Sequence, residues 1–162
     1  MAAKDKDKKE ERKIVATHRK ARLYYEIVET LEAGLQLKGG EVKALRKGQC
    51  SLDGCFGRPD GGALWLENFY IPPYIFATNS EPLDPRRKRK LLLHGNEIAK
   101  IEGKLAIKGL TLIPLEVYFK NGWAKVALGL AKGKTGADRR DDLRKKDARR
   151  DAEKSFKGSY RS

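Results

Sequence analysis

Residues 111–130 read TLIPLEVYFKNGWAKVALGL, and this stretch decides the fold class. Apolar residues recur at every second position on both sides of Asn121-Gly122, as two β-strands with one buried face require. Asn and Gly both tolerate positive φ, so this dipeptide predicts a two-residue hairpin turn. Pro114 lacks an amide hydrogen and is expected at a sheet edge or a bulge. The predicted buried face consists of Ile113, Leu115, Val117 and Phe119 before the turn and Ala124, Val126, Leu128 and Leu130 after it.

Weaker patterns nearer the N-terminus predict more β-structure. Asp60-Gly61-Gly62 indicates a second hairpin between strands over 51–57 and 63–69, because glycine readily takes the positive φ of a tight turn. Alternating apolar residues predict a third strand pair over 22–31 and 34–38. The chain is therefore expected to contain about six antiparallel strands.

Two short helices are also expected. The first covers residues 41–47, where Gly48 can take the left-handed position that ends a helix. Asn96 is expected to cap the second, and Gly103 would break it early. The chain is therefore mainly β with short helices, an α+β protein. A small closed OB-like barrel with accessory helices fits best, since that architecture commonly binds nucleic acid.

Charge divides the chain into a core and two extensions. Of 162 residues, 36 are Lys or Arg and 22 are Asp or Glu, so the formal net charge is +14 and a polyanion is the natural partner. Residues 14–131 hold nearly all the large apolar residues and form the predicted barrel. Residues 1–13 are expected to be a disordered charged extension. Residues 132–162 form a basic tail, expected to be disordered alone and helical on an RNA surface.

Other classes of protein are disfavoured. Apolar runs such as Val126–Ala131 fall far short of the ~20 residues of a membrane-spanning helix, and Met1–Lys13 lacks the apolar segment of a secretory signal. We therefore expect a cytoplasmic protein with no membrane partner. Cys50 and Cys55 lack the spacing and the additional ligands of a metal site and are expected to be free thiols.

Catalysis is disfavoured as well. Residues 129–135, GLAKGKT, nearly match a phosphate-binding loop, but three residues separate the two glycines where that loop needs four. Neither His18 nor His94 lies in the context of a nucleophile and its base. We expect neither an enzyme nor a cofactor. The remaining NTPase hypothesis predicts ATP or GTP binding through Lys134.

Two basic clusters are candidates for RNA contact. Arg86-Arg87-Lys88-Arg89-Lys90 places five adjacent cations together, which is tolerable where they are solvated or face phosphates. His18-Arg19-Lys20, with Arg22, abuts Tyr24-Tyr25, and cations beside aromatic rings suit stacking on unpaired bases. The alternatives are a solvated loop for the first cluster and a charged strand start with one core tyrosine for the second.

Several stretches, in order, resemble the small protein B family, also called SsrA-binding proteins, from about residue 14 to residue 150. They are His18–Arg22 (HRKAR), Leu31–Leu35 (LEAGL), Gly40–Arg46 (GEVKALR), Asp84–Leu93 (DPRRKRKLLL), Tyr118–Trp123 (YFKNGW) and Val126–Lys134 (VALGLAKGK). The resemblance implies an OB-type barrel that binds the tRNA-like domain of transfer-messenger RNA. It also implies a role in trans-translation, in which a stalled ribosome is rescued and its peptide is tagged.

The resemblance assigns roles to individual residues. Glu32, Leu92 and Lys125 match residues that the family uses for RNA, and the clusters above add His18, Arg19, Lys20, Arg22, Arg89 and Lys90. The tail is implied to occupy the ribosomal decoding centre and the empty mRNA path and to become helical there. The tail residues that match are Lys132, Lys134, Asp138, Arg139 and Arg140. We expect a monomer whose partners are transfer-messenger RNA and the ribosome. The alternative is a structural ribosomal or general RNA-binding OB protein that binds many RNAs comparably.

Overall fold

The computed structural model describes residues 12–73, 84–107 and 109–159, and side chains from residue 155 onward and that of Asp138 are not described. This part of the chain contains seven strands and four helices. The strands are β1 (Arg12–Thr17), β2 (Tyr25–Leu35), β3 (Phe56–Asp60), β4 (Ala63–Glu67), β5 (Arg89–Leu92), β6 (Leu110–Lys120) and β7 (Trp123–Gly133). The helices are α1 (Ala21–Tyr24), α2 (Gly39–Arg46), α3 (Gly95–Leu105) and α4 (Gly136–Ser159).

The strands form one antiparallel sheet in the order β1-β6-β3-β4-β5-β2-β7. An additional pairing between β6 and β7 closes six of them into a ring, and β1 lies beside β6. Closure gives each of the six ring strands a partner on both sides and encloses a core between the strands and the helices. This architecture confirms the predicted OB-like class of strands with accessory helices.

The hairpin that decides the fold is confirmed. Asn121 (φ 51°) and Gly122 (φ 80°) form its turn, and Lys120 pairs with Trp123. Pro114 lies beside a bulge in β6, as its missing amide hydrogen predicted. The single buried face predicted for β6 is wrong, however, because the bulge at Leu115 reverses the alternation. Ile113 and Leu115 therefore point away from the core that buries Val117 and Phe119 and pack on the opposite side of the sheet.

The other sequence predictions hold in part. β3 and β4 form the second hairpin with positive φ at Gly61 and Gly62, although β3 begins only at Phe56. The third strand pair is wrong: β2 is one continuous strand that pairs with β7 along its length and with β5 at its end. Helix α2 is confirmed. Helix α3 begins at Gly95 after His94, so Asn96 does not cap it, and it continues through Gly103.

The main core lies inside the ring. Ile98, Ile101 and Leu105 of α3 pack against it, which explains why the helix tolerates Gly103. A smaller cluster of Ala21, Ile113 and Ala131, the α1 cluster, lies on the opposite side of the sheet under α1. The buried members of the main core are Ala33, Leu35, Ala44, Leu45, Leu52, Cys55, Leu64, Leu66, Phe69, Ile71, Leu91, Ile101, Leu112, Val117, Phe119, Val126 and Leu128.

A buried ion pair joins α2 to β5. Glu41 is 4% exposed and accepts hydrogen bonds from Arg87, Arg89 and the Lys38 backbone amide, the last at 3.0 Å. The Arg89 side chain has no exposed surface and also donates to the Phe69 carbonyl. Burial raises the pKa of Glu41, but the hydrogen bonds from Arg87, Lys38 and Arg89 outweigh it and hold that pKa below its ordinary value.

We expect Glu41→Gln to destabilise the protein by about 3–5 kcal/mol, because it leaves the buried Arg89 guanidinium without its carboxylate. Urea unfolding at neutral pH measures the change. Glu97→Gln, at an exposed position in the first turn of α3, is the matched control and should change stability by no more than about 0.5 kcal/mol. Equal stability of the two variants would contradict a structural role for the ion pair.

The same carboxylate predicts a pH dependence. A group whose pKa is lowered by folding stabilises the protein above its unfolded pKa, and the stabilisation disappears as the pH falls through the lower folded value. Glu41 therefore contributes an acid-side loss of stability below its ordinary pKa. Between neutral and acidic pH, the free energy of unfolding should fall less steeply for Glu41→Gln than for the wild-type chain.

Candidate nucleic-acid interface

Strand register brings three of the predicted RNA-binding residues together on the outer face of the ring. Leu92 on β5 pairs with Gly34 on β2, and Gly34 pairs with Lys125 on β7. Glu32 lies two residues before Gly34 on the same strand and therefore on the same face. Half of the Leu92 surface is exposed. We call Glu32, Leu92 and Lys125 the outer-face trio.

Gly34 allows this close approach. A Cβ atom at that position would lie 3.1 Å from the Cβ of Leu92, closer than side-chain atoms ordinarily pack. The missing side chain lets β5 and β2 pair while Leu92 projects over the position that Gly34 leaves open. Leu92 can thus present an apolar surface next to the charged members of the trio.

Tyr118 holds Glu32 in place. Tyr118 pairs with Lys125 across β6 and β7, and its hydroxyl donates a hydrogen bond to Glu32. The Arg12 guanidinium lies 3.9 Å from the centre of the Tyr118 ring, and Lys120 Nζ lies 3.5 Å from Glu32 Oε1. The hydrogen bond from Tyr118 lowers the pKa of Glu32 against the opposing effect of burial, and Lys120 and Lys125 lower it further. Glu32 is therefore a fixed, ionised acceptor surrounded by cations.

Two basic residues next to the trio have opposite environments. In β5, alternate side chains point outward, so Lys90 is exposed on the same face as Leu92. Arg89 points inward to Glu41, and burial lowers its pKa while Glu41 opposes that shift. The prediction that Arg89 contacts RNA is therefore corrected, because its guanidinium has no exposed surface and is held by Glu41, Phe69 and other carbonyls.

The predicted cluster near the N-terminus lies at the other end of the ring. His18 follows β1, and its Nδ1 lies 3.1 Å from the Pro114 carbonyl oxygen. Arg19, Lys20 and Arg22 are exposed around α1. Between α1, α4 and the start of β3 lies a groove of about 620 Å³ whose lining includes His18, Lys20, Tyr24, Phe56, Lys134 and Arg139. The groove therefore combines cations with aromatic rings.

The tail residues begin within this region. Lys132 belongs to β7, where it pairs with Glu26 and Leu110. Lys134 donates to the Arg22 carbonyl at 2.8 Å and forms an ion pair with Asp142 on α4. Arg139 lies over the Tyr24 ring at 5.5 Å, and Arg140 Nε donates to the Gly136 carbonyl at 3.3 Å.

The tail forms helix α4 over Gly136–Ser159. That this segment is disordered alone and becomes helical on an RNA surface stays a prediction. The contacts of Lys134 and Arg139 fix the first turns against α1, and the pairs Asp141–Lys145 and Asp142–Lys146, four residues apart, favour the helix over residues 141–146. Of Asp138, only the backbone placement in α4 is described.

Several residues at the site were missed in the sequence. The register of β6 with β7 and β1 brings Tyr118 and Arg12 to the site. The direction of α4 brings Asp142 to Lys134. The only sequence signal for Tyr118 was the alternation in β6, which places its side chain on the opposite face of the sheet from the buried Val117. The near match to a phosphate-binding loop has its first glycine paired within the sheet, with Thr30 and Ile113, so it does not form that loop.

Two further observations bear on chemistry. Burial raises the pKa of Cys50 to about 11 and that of Cys55 to about 12, so both are protonated thiols at neutral pH. Within the described ranges, no group of three or more His, Cys, Asp or Glu side chains could hold a metal ion, and no helix is long and apolar enough to cross a membrane.

The ring and its outer face define a basic OB-like protein whose exposed cations lie beside aromatic rings. Comparison with known families is specific: the profile described as SmpB protein matches residues 15–158, and the chain belongs to the SmpB family. The resemblance found in the sequence is thereby confirmed.

Individual relatives agree. The SsrA-binding protein of Sulfurihydrogenibium sp. (strain YO3AOP1) is 52% identical over 149 residues, which cover 92% of this chain and 97% of the relative. That of Elusimicrobium minutum (strain Pei191) is 49% identical over 148 residues, covering 91% and 94%. A solved structure described as "tmRNA-SmpB: a journey to the center of the bacterial ribosome" is 53% identical and covers 75% of this chain and 85% of its own, with a TM-score of 0.63.

We expect Tyr118→Phe to raise the pKa of Glu32 towards its ordinary value, because the variant removes the hydrogen bond that lowers it most. Carbon-detected NMR titration of the Glu32 carboxyl measures the change. Tyr70→Phe removes a hydroxyl from a ring that packs under Arg86 and serves as the control. An unchanged Glu32 midpoint in Tyr118→Phe would contradict the proposed contact.

Proposed function

We propose that this protein binds the tRNA-like domain of transfer-messenger RNA through its outer face and delivers it to stalled ribosomes for trans-translation and peptide tagging. The observation that carries the proposal is the assembly of Glu32, Leu92 and Lys125, which are distant in sequence, on one exposed surface. Membership of the SmpB family and the similarity to SsrA-binding proteins support it. Peptidyl transfer remains the chemistry of the ribosome, so the protein acts as a binding factor in the cytoplasm.

Each member of the trio offers RNA a different contact. Lys125 suits a phosphate, whose bound counterions it releases. Leu92 suits the face of an unstacked base or a ribose. Glu32 can accept a hydrogen bond from a 2′-hydroxyl or a base N–H. Tyr118 prevents it from turning away, and Lys120 and Lys125 offset its repulsion of phosphate.

We propose that α4 enters the decoding centre and the empty mRNA path. Its exposed face is strongly charged and almost without large apolar residues, which suits a helix that lies along RNA phosphates. Lys132, Arg140 and Asp138 would contribute at the start of the tail. Lys134 and Arg139 would exchange their contacts with Asp142 and Tyr24 for RNA phosphates.

Adjacent substitutions in β5 separate RNA binding from stability. We expect Lys90→Gln to lower affinity for transfer-messenger RNA and to reduce the slope of log affinity against log salt by roughly 0.7–0.9, the effect of one phosphate contact. Its stability should change by less than about 0.5 kcal/mol. Arg89→Gln should instead lose about 3 kcal/mol of stability, since it breaks the buried pair with Glu41. Filter binding and urea unfolding measure both; unchanged RNA affinity in Lys90→Gln would remove Lys90 from the interface.

Truncation tests the division between ring and tail. Ending the chain after Thr135 removes α4 but keeps all of β7 and the hydrogen bond that the Lys134 amide donates to the Tyr24 carbonyl. We expect transfer-messenger RNA binding to be retained and tagging on stalled ribosomes to be abolished in a reconstituted translation assay. Parallel loss of both activities would contradict separate roles for the two parts.

A salt titration against two RNAs tests the function as a whole. Affinity for transfer-messenger RNA and for an ordinary tRNA is measured over a salt series. With ~6 phosphates neutralised, log affinity should fall against log salt with a slope of roughly −4 to −5. A preference for transfer-messenger RNA that persists at physiological salt supports the proposal. Equal binding that salt abolishes would identify a general RNA-binding protein instead.

A further inference from the structure

A second cationic and aromatic surface lies on the strands beyond the outer-face trio. Arg58 on β3 pairs with Trp65 on β4, and Trp65 pairs with Lys90 on β5. Lys88 Nζ lies 4.7 Å from the centre of the Trp65 ring. We call Arg58, Trp65 and Lys88 the Trp65 cluster.

The Trp65 cluster is continuous with the proposed RNA-binding face. Side chains of alternate residues in a strand share one face, and Lys90 and Leu92 are exposed at such positions of β5. Lys88, just before β5, is also exposed and lies over the Trp65 ring. Lys90 stands one two-residue step from Leu92, roughly 7 Å along the strand, and directly across from Trp65. An RNA that contacts Leu92 and Lys90 therefore has the Trp65 cluster within one nucleotide's reach.

The cations of this cluster can exchange their carboxylate partners for phosphates. Lys88 Nζ lies 3.5 Å from Asp60 Oδ2, and both side chains are more than half exposed. Arg58 Nη1 lies 3.7 Å from Glu67 Oε1, and the Arg58 side chain is 61% exposed. Exposed ion pairs of this kind contribute little to stability, so a phosphate can replace either carboxylate at small cost.

The indole is fixed independently of these cations. Trp65 Nε1 donates to the Asp60 carbonyl oxygen at 3.2 Å across the β3–β4 hairpin, whose turn is formed by Gly61 and Gly62. The ring therefore keeps its orientation when Lys88 moves. The ring face that Lys88 now covers would become a platform for a base.

We propose that the Trp65 cluster is a second contact for transfer-messenger RNA, in which an unpaired base stacks on Trp65 while Arg58 and Lys88 bind the adjoining phosphates. This inference rests on the proposed function and extends its interface around the ring from β5 to β3. RNA fits better than an acidic protein because the cations flank a ring that can stack, and stacking needs a base. The cluster would lengthen the contact without adding base-pair recognition, since every base has a stacking face.

The two tryptophans of the chain provide a direct measurement. Trp123 is 73% exposed, so Trp123→Phe should fold normally and leaves Trp65 as the sole indole. Full-length Trp123→Phe protein is titrated with transfer-messenger RNA while the indole emission is followed, and filter binding reports the total affinity. We expect emission to be quenched over the same RNA concentrations at which the complex forms. Complex formation without a change in emission would overturn the proposal.

Charge variants test the phosphate contacts. Arg58→Gln with Lys88→Gln, in the otherwise wild-type chain, should reduce the salt slope by about 1.4–1.8 and lower affinity roughly tenfold near physiological salt. The control is Lys47→Gln with Lys100→Gln, which removes the same charge at exposed positions on other elements. Slopes that fall equally in both double variants would show that only net charge matters and would overturn the proposal.

The outcomes also separate the inference from the function on which it rests. If the wild-type chain shows no preference for transfer-messenger RNA over tRNA, the proposed function fails. If that preference is present but the Trp65 emission and the salt slope are insensitive, only the second contact fails. Quenching by polyglutamate, with none by RNA, would assign the cluster to an acidic protein and would likewise overturn the proposal.

Discussion

The buried contact between Glu41 and Arg89 determines how the outer face is organised. Glu41 stands in the first turn of α2, and Arg89 begins β5, so the pair fixes that strand against the helix. Arg89 also donates to the carbonyls of Phe69 and Pro85, which anchors the segments before β5. Once Arg89 points inward, strand alternation requires Lys90 to point outward. The buried Arg89 thus determines that Lys90, and not Arg89, is available to a ligand on the outer face.

Closure of the ring provides the second constraint. β7 lies between β2 and β6, and its pairing with both places Lys125 next to Gly34 on one side and Tyr118 on the other. β5 then adds Leu92 beside Gly34. The outer-face trio is therefore a product of register, since a shift of one residue in any of these strands would send a side chain to the opposite face.

Local sequence patterns correctly predicted the structural features that depend only on residues adjacent in the chain. The turn at Asn121-Gly122 and the bulge beside Pro114 follow from backbone preferences, and both were predicted. The effect of the bulge on Leu115 was missed because simple alternation assumes a regular strand, whereas a bulge inserts one extra residue and reverses the faces. Arg89 was placed with its basic neighbours because its partner, Glu41, lies far away in sequence. The resemblance to a family identified Glu32, whereas Tyr118, which holds it, required the sheet register.

The small α1 cluster has a consequence for motion. Ala21, Ile113 and Ala131 are its buried members among the described residues, whereas the main core buries far more side chains. Local opening costs less where fewer apolar side chains are buried. The end of the ring that carries α1 and the start of α4 can therefore exchange its amide hydrogens through partial unfolding while the strands around Leu128 stay protected. In such a hierarchy, helix α4 can change direction relative to the ring while the outer face keeps its shape.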